Sequence, residues 1–171
     1  MKTANPKKLI NILFICLSCC LLLSSCHKNK EKVVFEKTVE FSNSNWDFTQ
    51  RILEFDATIN DTIAPHRIEM ELKYGPDEER VDEMPVSFAV TSPDGAKYAT
   101  QSGFFFAEDT ENADISKEAK KASNTQYRAL YEEKYFNCKG TYHLRLCRYS
   151  PKFDNYNIHS LTIRIVQLPQ K

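Results

Sequence analysis

Glycine is scarce in this chain, with four residues in 171. Loops that cradle phosphate groups need several glycines close together, so that chemistry has little material here. The chain also contains no G-x-S-x-G and no H-E-x-x-H, the spacings that mark a serine hydrolase elbow and a zinc peptidase helix. Its four histidines are His27, His66, His143 and His159, and none has a partner at metal-ligand spacing. His143 is expected to face solvent. There is no excess of positive charge, with 23 basic residues against 23 acidic ones, and this balance argues against a nucleic-acid partner. No catalytic residue, no metal ligand and no cofactor emerges, and an enzyme is not expected.

Long apolar runs are also rare. The single one opens the chain. Lys2, Lys7 and Lys8 precede an apolar stretch over residues 9–23, relieved only by Asn11 and Ser18 among its apolar and small residues. That is short of the roughly 20 residues a spanning helix needs and has the pattern of a secretory signal. It ends in Leu23-Ser24-Ser25-Cys26, which looks like a bacterial lipobox. The thiol of Cys26 is the nucleophile that would accept a diacylglycerol group. Small Ser24 and Ser25 would let a peptidase reach the preceding bond. Two or three acyl chains make a stable anchor, since each buried CH₂ contributes ~0.8 kcal/mol. A second candidate, Leu17-Ser18-Cys19-Cys20, lies inside the apolar run and lacks a small residue before its last cysteine. The expected organisation is therefore a signal over residues 1–25, a lipidated Cys26 with a polar tether over 26–32, and one domain over 33–171. The membrane is a partner through the lipid on Cys26.

Only Cys138 and Cys147 then remain in the body of the protein. On a single extended strand they would lie ~30 Å apart, too far to bond. Pairing would need a chain reversal at Lys139-Gly140, and two unpaired thiols are expected. Without Lys2, Lys7 and Lys8 the body carries 20 basic and 23 acidic residues, a net charge near −3.

The body reads as strands. Leu53, Phe55, Ala57 and Ile59 alternate with polar residues, as do Ile68, Met70, Leu72 and Tyr74, and again Tyr142, Leu144 and Leu146. Such period-two patterns mark strands with one buried and one wet face. Weaker examples cover residues 33–41, 86–91, 97–100, 103–106, 130–135 and 160–165. Ser92-Pro93-Asp94-Gly95 and Asn137-Cys138-Lys139-Gly140 carry turn residues. About eight strands with frequent turns predict an all-β antiparallel sandwich with jelly-roll-like connections. Residues 108–126 interrupt the pattern. They are expected to form a polar loop, or a short helix over 115–122, outside the sheets.

Two features could bind something. Acidic residues crowd residues 75–83, and Asp56 and Asp61 flank Asn60; such oxygens could build a calcium site, although a solvated loop explains them more simply. A glycosidase would need two facing carboxylates, whose separation no sequence displays. Aromatics are plentiful, and most fall at inward positions. Trp46, beside a turn, is the candidate for stacking on a sugar ring in a glycan-binding sandwich. The simpler reading makes it a plug at the mouth of the core.

Taken in order, these segments resemble a known family. The lipobox, a strand ending in Phe41, then Asn45-Trp46, and Phe55-Asp56-Ala57-Thr58-Ile59-Asn60-Asp61-Thr62 come first. The alternating strand over 67–74, Val90-Thr91-Ser92-Pro93-Asp94-Gly95, Gly140-Thr141-Tyr142-His143-Leu144 and a final strand over 161–165 follow. This order is similar to the gliding-motility lipoprotein GldH family of the Bacteroidetes. The likeness implies a small, non-catalytic lipoprotein of the cell envelope whose partners belong to a motility or type IX secretion complex. The family's Arg-Asn…Tyr…Asn segment is replaced here by Lys73-Tyr74-Gly75-Pro76-Asp77-Glu78-Glu79-Arg80. The residues after Cys26 are basic rather than acidic, so the resemblance implies an outer-membrane protein facing the periplasm.

Overall fold

A computed structural model describes residues 30–75, 83–106, 124–150 and 152–170. Its regular structure is two short 3-10 turns (Ser42–Ser44 and Phe48–Gln50) and eight strands: β1 (Lys32–Glu40), β2 (Ile52–Ile59), β3 (His66–Tyr74), β4 (Glu83–Thr91), β5 (Lys97–Phe105), β6 (Asn124–Lys134), β7 (Gly140–Arg148) and β8 (Ile158–Gln167). They form two four-stranded sheets, β1-β8-β3-β6 and β2-β7-β4-β5, in which every pairing is antiparallel. β1 pairs with β8, β2 with β7, β3 with β6 and β4 with β5, the pattern left when one long hairpin is rolled up on itself. This is the jelly roll that the alternation predicts.

The core lies between the sheets. β2 buries Leu53, Phe55, Ala57 and Ile59, and β7 buries Tyr142, Leu144 and Leu146. β3 supplies Ile68, Met70, Leu72 and Tyr74, while β8 supplies Leu161, Ile163 and Ile165. β1 departs from strict alternation because a bulge at Val34 places Val33 opposite Val166 and Phe35 opposite Ile165. One extra residue on the bulged strand shifts the facing of those before it.

Two expected segments change. Residues 97–100 and 103–106 are not separate strands, since β5 runs unbroken from Lys97 to Phe105. β6 begins at Asn124, inside the stretch expected to leave the sheets, because Asn124, Thr125 and Gln126 pair with Tyr74, Lys73 and Leu72. The rest of that stretch, including the possible helix over 115–122, lies outside the described residues.

The turns follow from local chemistry. Between β4 and β5, the N–H of Gly95 donates to the carbonyl of Ser92 at 2.9 Å, and Gly95 takes a φ of 85°, a region that disfavours side chains. At Gly140 (φ 135°) a Cβ would lie 2.9 Å from Cγ of Pro93, so the two hairpin ends approach only because glycine stands there. Cys138 and Cys147 are both free, as expected.

Candidate functional site

The end of the sandwich at which β1 finishes is built from two segments, residues 41–51 and residues 149–150 together with 152–157. Trp46 anchors the first. It is fully buried, stacked on Phe41 with centroids 4.8 Å apart and planes 16° from parallel, and its Nε1–H donates to the carbonyl of Gln50 at 2.9 Å. The reading of Trp46 as a sugar-stacking residue is therefore corrected. Its ring faces are occupied by the protein, and it is the plug at the mouth of the core. After it, Oδ1 of Asp47 accepts from the N–H groups of Thr49 and Gln50 at 2.8 and 3.1 Å and starts a short 3-10 turn. The Thr49 side chain donates to the same carboxylate; this bond, followed by the two backbone bonds, holds the Asp47 carboxyl below the usual range.

The second segment is fastened to the first. The N–H of Trp46 donates to the carbonyl of Asn155 at 3.1 Å, and the N–H of Asn155 donates to Oδ1 of Asn45 at 3.1 Å. Asn45 also donates from Nδ2 to Asp154 at 3.0 Å. Beneath both segments lies Arg148, the last residue of β7, only 4% exposed. Its Nη1 and Nη2 donate to the carbonyls of Lys152 and Phe153, and its guanidinium carbon stands 5.7 Å from the Trp46 ring centroid. Burial lowers its pKa, while Asp47 and Asp154 oppose that shift.

What this scaffold presents outward is aromatic. Phe48 and Phe153 meet with centroids 5.3 Å apart at 59°, and the Arg51 guanidinium sits 4.5 Å from the Phe48 centroid. Phe153 is 70% exposed, and Tyr149 and Tyr156 are each 58% exposed. Sequence reading singled out the one tryptophan and passed over these four rings. The signal available was the density of aromatics in Tyr149-Ser150-Pro151-Lys152-Phe153-Asp154-Asn155-Tyr156, a stretch too polar to be core. Phe48 and Phe153 are inclined to each other by 59°, so they do not form the flat platform a sugar ring would need.

The remaining candidates fall elsewhere. Cys26 and His27 lie outside the described residues, as does most of the acidic loop over 75–83. Asp61 is spent on its own turn, where Oδ1 accepts from Ile63 and Ala64 and Oδ2 from Gln167. Asp56 pairs across strands with the exposed His143. His66 is 1% exposed and packs edge-on against Phe136. Among the described residues no three His, Cys, Asp or Glu side chains gather into a metal-binding group.

No protein-family model and no curated protein matches the chain, so the likeness to the gliding lipoproteins rests on the residues quoted above. Among solved structures, the chain is similar to dimeric latent PorU from Porphyromonas gingivalis. The identity is 9% and the TM-score 0.39, over 80% of this chain and 13% of that one. It is also similar to the complex of the Aeromonas sobria serine protease with its chaperone, at 13% identity and a TM-score of 0.32, over 88% of this chain and 29% of that one. The chain thus spans less than a third of either.

Proposed function

We propose that this protein is a non-catalytic lipoprotein of the cell envelope, of the gliding-motility and type IX secretion type that its sequence resembles, and that it works by binding partner proteins at the membrane. The observation that carries this reading is the exposed aromatic end: Phe48, Phe153, Tyr149 and Tyr156 over a buried Arg148 and Trp46. Aromatic rings and arginine dominate the energetic centres of protein interfaces. Rings already fixed by a hydrogen-bonded scaffold lose little entropy on binding. β1 starts at Lys32 and finishes beside Phe41, so nine residues at ~3.3 Å each set the aromatic end about 30 Å beyond the strand's first residue. A lipid on Cys26 would hold the domain near membrane partners, where modest contacts suffice.

Two measurements in the native membrane test this. Mass spectrometry of the purified full chain should find acyl groups on Cys26, and an unmodified thiol there removes the anchor. A photo-crosslinking phenylalanine at position 153 should yield adducts with envelope proteins. The same group at Ile63, 77% exposed in the β2–β3 turn, should not. No adduct at 153, or identical adducts from both positions, overturns the aromatic end as the binding surface.

A further inference from the structure

Four strands lie at sheet edges: β1 and β6 in one sheet, β2 and β5 in the other. An edge strand displays unpaired N–H and C=O groups, and folded proteins usually blunt it. Three of the four are treated in this way. β1 carries the Val34 bulge together with Lys32 and Lys37. β5 and β6 are stitched to each other. The Gln126 side chain on β6 accepts from the N–H of Phe105 at 3.2 Å and donates to the carbonyl of Phe105 at 2.6 Å, while Nε of Arg128 donates to the carbonyl of Gly103 at 3.2 Å.

Among the described residues β2 has no bulge and no stitching side chain, and only the carboxylates of Glu54 and Asp56 guard its edge. It is eight residues long, pairs with β7 in unbroken register, and contains neither proline nor lysine. Which of its backbone groups point off the edge follows from the ladder. The N–H of Arg148 donates to the carbonyl of Arg51 at 2.9 Å, and in an antiparallel ladder hydrogen-bonded pairs recur at every second residue. The register then assigns Leu53, Phe55, Ala57 and Ile59 to bonds with β7. The N–H of Tyr149 donating to the carbonyl of Pro85 fixes the β4–β7 ladder in the complementary phase. The backbone groups of Glu54, Asp56 and Thr58 therefore face outward, with no hydrogen-bond partner among the described residues. Their side chains are exposed as well, with Glu54 3.6 Å from Arg145 and Asp56 paired to His143 of β7, surface pairs that an incoming basic segment would share.

We propose that β2 takes up an extended segment of another polypeptide as a further antiparallel strand, and that this segment carries Lys or Arg at alternate positions beside Glu54 and Asp56. Backbone pairing supplies the affinity and alternate side chains the selectivity. The residues between the basic ones would turn toward the core side, next to Leu53 and Phe55, and so should be apolar. A second copy of β2 is disfavoured in the registers that set Glu54 or Asp56 opposite Glu54 or Asp56 of the other copy, because like charges directly opposite destabilise a sheet. This goes beyond the proposed function and requires neither the lipid nor the aromatic end.

The test uses the full chain in detergent micelles and two labelled nine-residue probes, one alternating Lys with Val and one alternating Glu with Val. Fluorescence anisotropy should show the lysine probe binding at least ten-fold more tightly. Hydrogen exchange should slow at the amides of Glu54, Asp56 and Thr58 when the lysine probe is added. Asp56→Pro removes an outward N–H that the β2–β7 ladder does not use, and proline is tolerated at such edge positions; it should weaken the probe ten-fold or more. Should that variant fail to fold, the double substitution Glu54→Lys with Asp56→Lys serves in its place and should reverse the probe preference. Equal binding of both probes, exchange unchanged at the three amides, or a β2-dependent dimer in light scattering would each overturn the proposal.

Discussion

Nη2 of Arg148 donates to the carbonyl of Phe153 at 3.1 Å, and Nη1 of the same residue donates to the carbonyl of Lys152 at 3.2 Å. One buried guanidinium thus holds two successive carbonyls of the segment that carries the most exposed ring of the aromatic end. The backbone N–H of Arg148 meanwhile donates to the carbonyl of Arg51, next to Phe48. Both halves of the Phe48–Phe153 contact are therefore referred to one residue.

Arg148→Lys should break that arrangement, because an ammonium group lacks the planar fork that reaches two carbonyls. Hydrogen bonds to charged groups contribute roughly 1.5–3 kcal/mol each, so losing one should lower stability by about 2 kcal/mol, read as a lower urea midpoint. Crosslinking from position 153 should fall further than the loss of folded protein accounts for. A full-strength adduct in a destabilised variant would show that the ring's placement does not depend on the guanidinium.

Trp46 is the only tryptophan, which makes its burial directly visible. Its fluorescence should be blue-shifted and poorly quenched by acrylamide. Trp46→Ala should cost roughly 3–5 kcal/mol, the usual range for emptying a large aromatic site in a core. Trp46→Phe keeps the stacking on Phe41 but loses the bond to Gln50, and should cost less. Emission at the wavelength of the unfolded chain under native conditions would contradict the core placement.

Much of the architecture is legible in the sequence, for a physical reason. β2, β3 and β7 each have one face toward the core, so their apolar residues alternate and the inward set can be read without coordinates. β8 is less transparent. Ser160 and Thr162 are buried along with Leu161 and Ile163, because β8 lies between β1 and β3 and their long side chains cover its outer face. The start of β6 is hidden altogether. Asn124, Thr125 and Gln126 look like loop, and only backbone pairing with β3 makes them strand. The aromatic end is the least readable part. Arg148 continues the inward phase of Tyr142, Leu144 and Leu146, yet it is a cation, and its partners are carbonyls four and five residues further on. No periodicity announces such a bond.

Glu71 should govern the acid limb of stability. It is 5% exposed and accepts from Nη1 of Arg164 at 2.6 Å, with Lys73 at 3.7 Å. Burial pushes its pKa up, but the bond and charge of Arg164, together with Lys73, outweigh that and leave it below the ordinary 4.5. A carboxyl whose pKa is lower folded than unfolded stabilises the fold above the unfolded pKa, and that stabilisation fades as pH falls through the folded one. Stability should therefore drop below about pH 4.5. Glu71→Gln should lower stability at neutral pH by roughly 1–3 kcal/mol and flatten the acid slope. Denaturation midpoints between pH 3 and 7 would reveal an unchanged slope if another group is responsible.

Tyr142 should govern the alkaline limb. Its ring is fully buried against Phe136, and its hydroxyl accepts from the N–H of Cys138 at 3.2 Å and lies 2.7 Å from the Cys138 carbonyl and 2.9 Å from Oδ1 of Asn137, both acceptors for its proton. Burial pushes the phenol up from 10.0 to about 12, the backbone N–H opposes this, and the neighbouring thiol adds to it. The neutral form is thus the one the fold favours. That contribution is complete below the unfolded pKa of 10.0 and is lost as pH rises toward about 12. Tyr142→Phe removes the bonds that tie the β6–β7 turn to the core, at a cost of about 1–2 kcal/mol below pH 9, and removes the loss of stability above pH 10. Absorbance titration at the phenolate band should show a late-ionising component in the wild type that is smaller by one tyrosine in the variant. Ionisation of Tyr142 together with the exposed tyrosines would mean that its hydroxyl is not held as described.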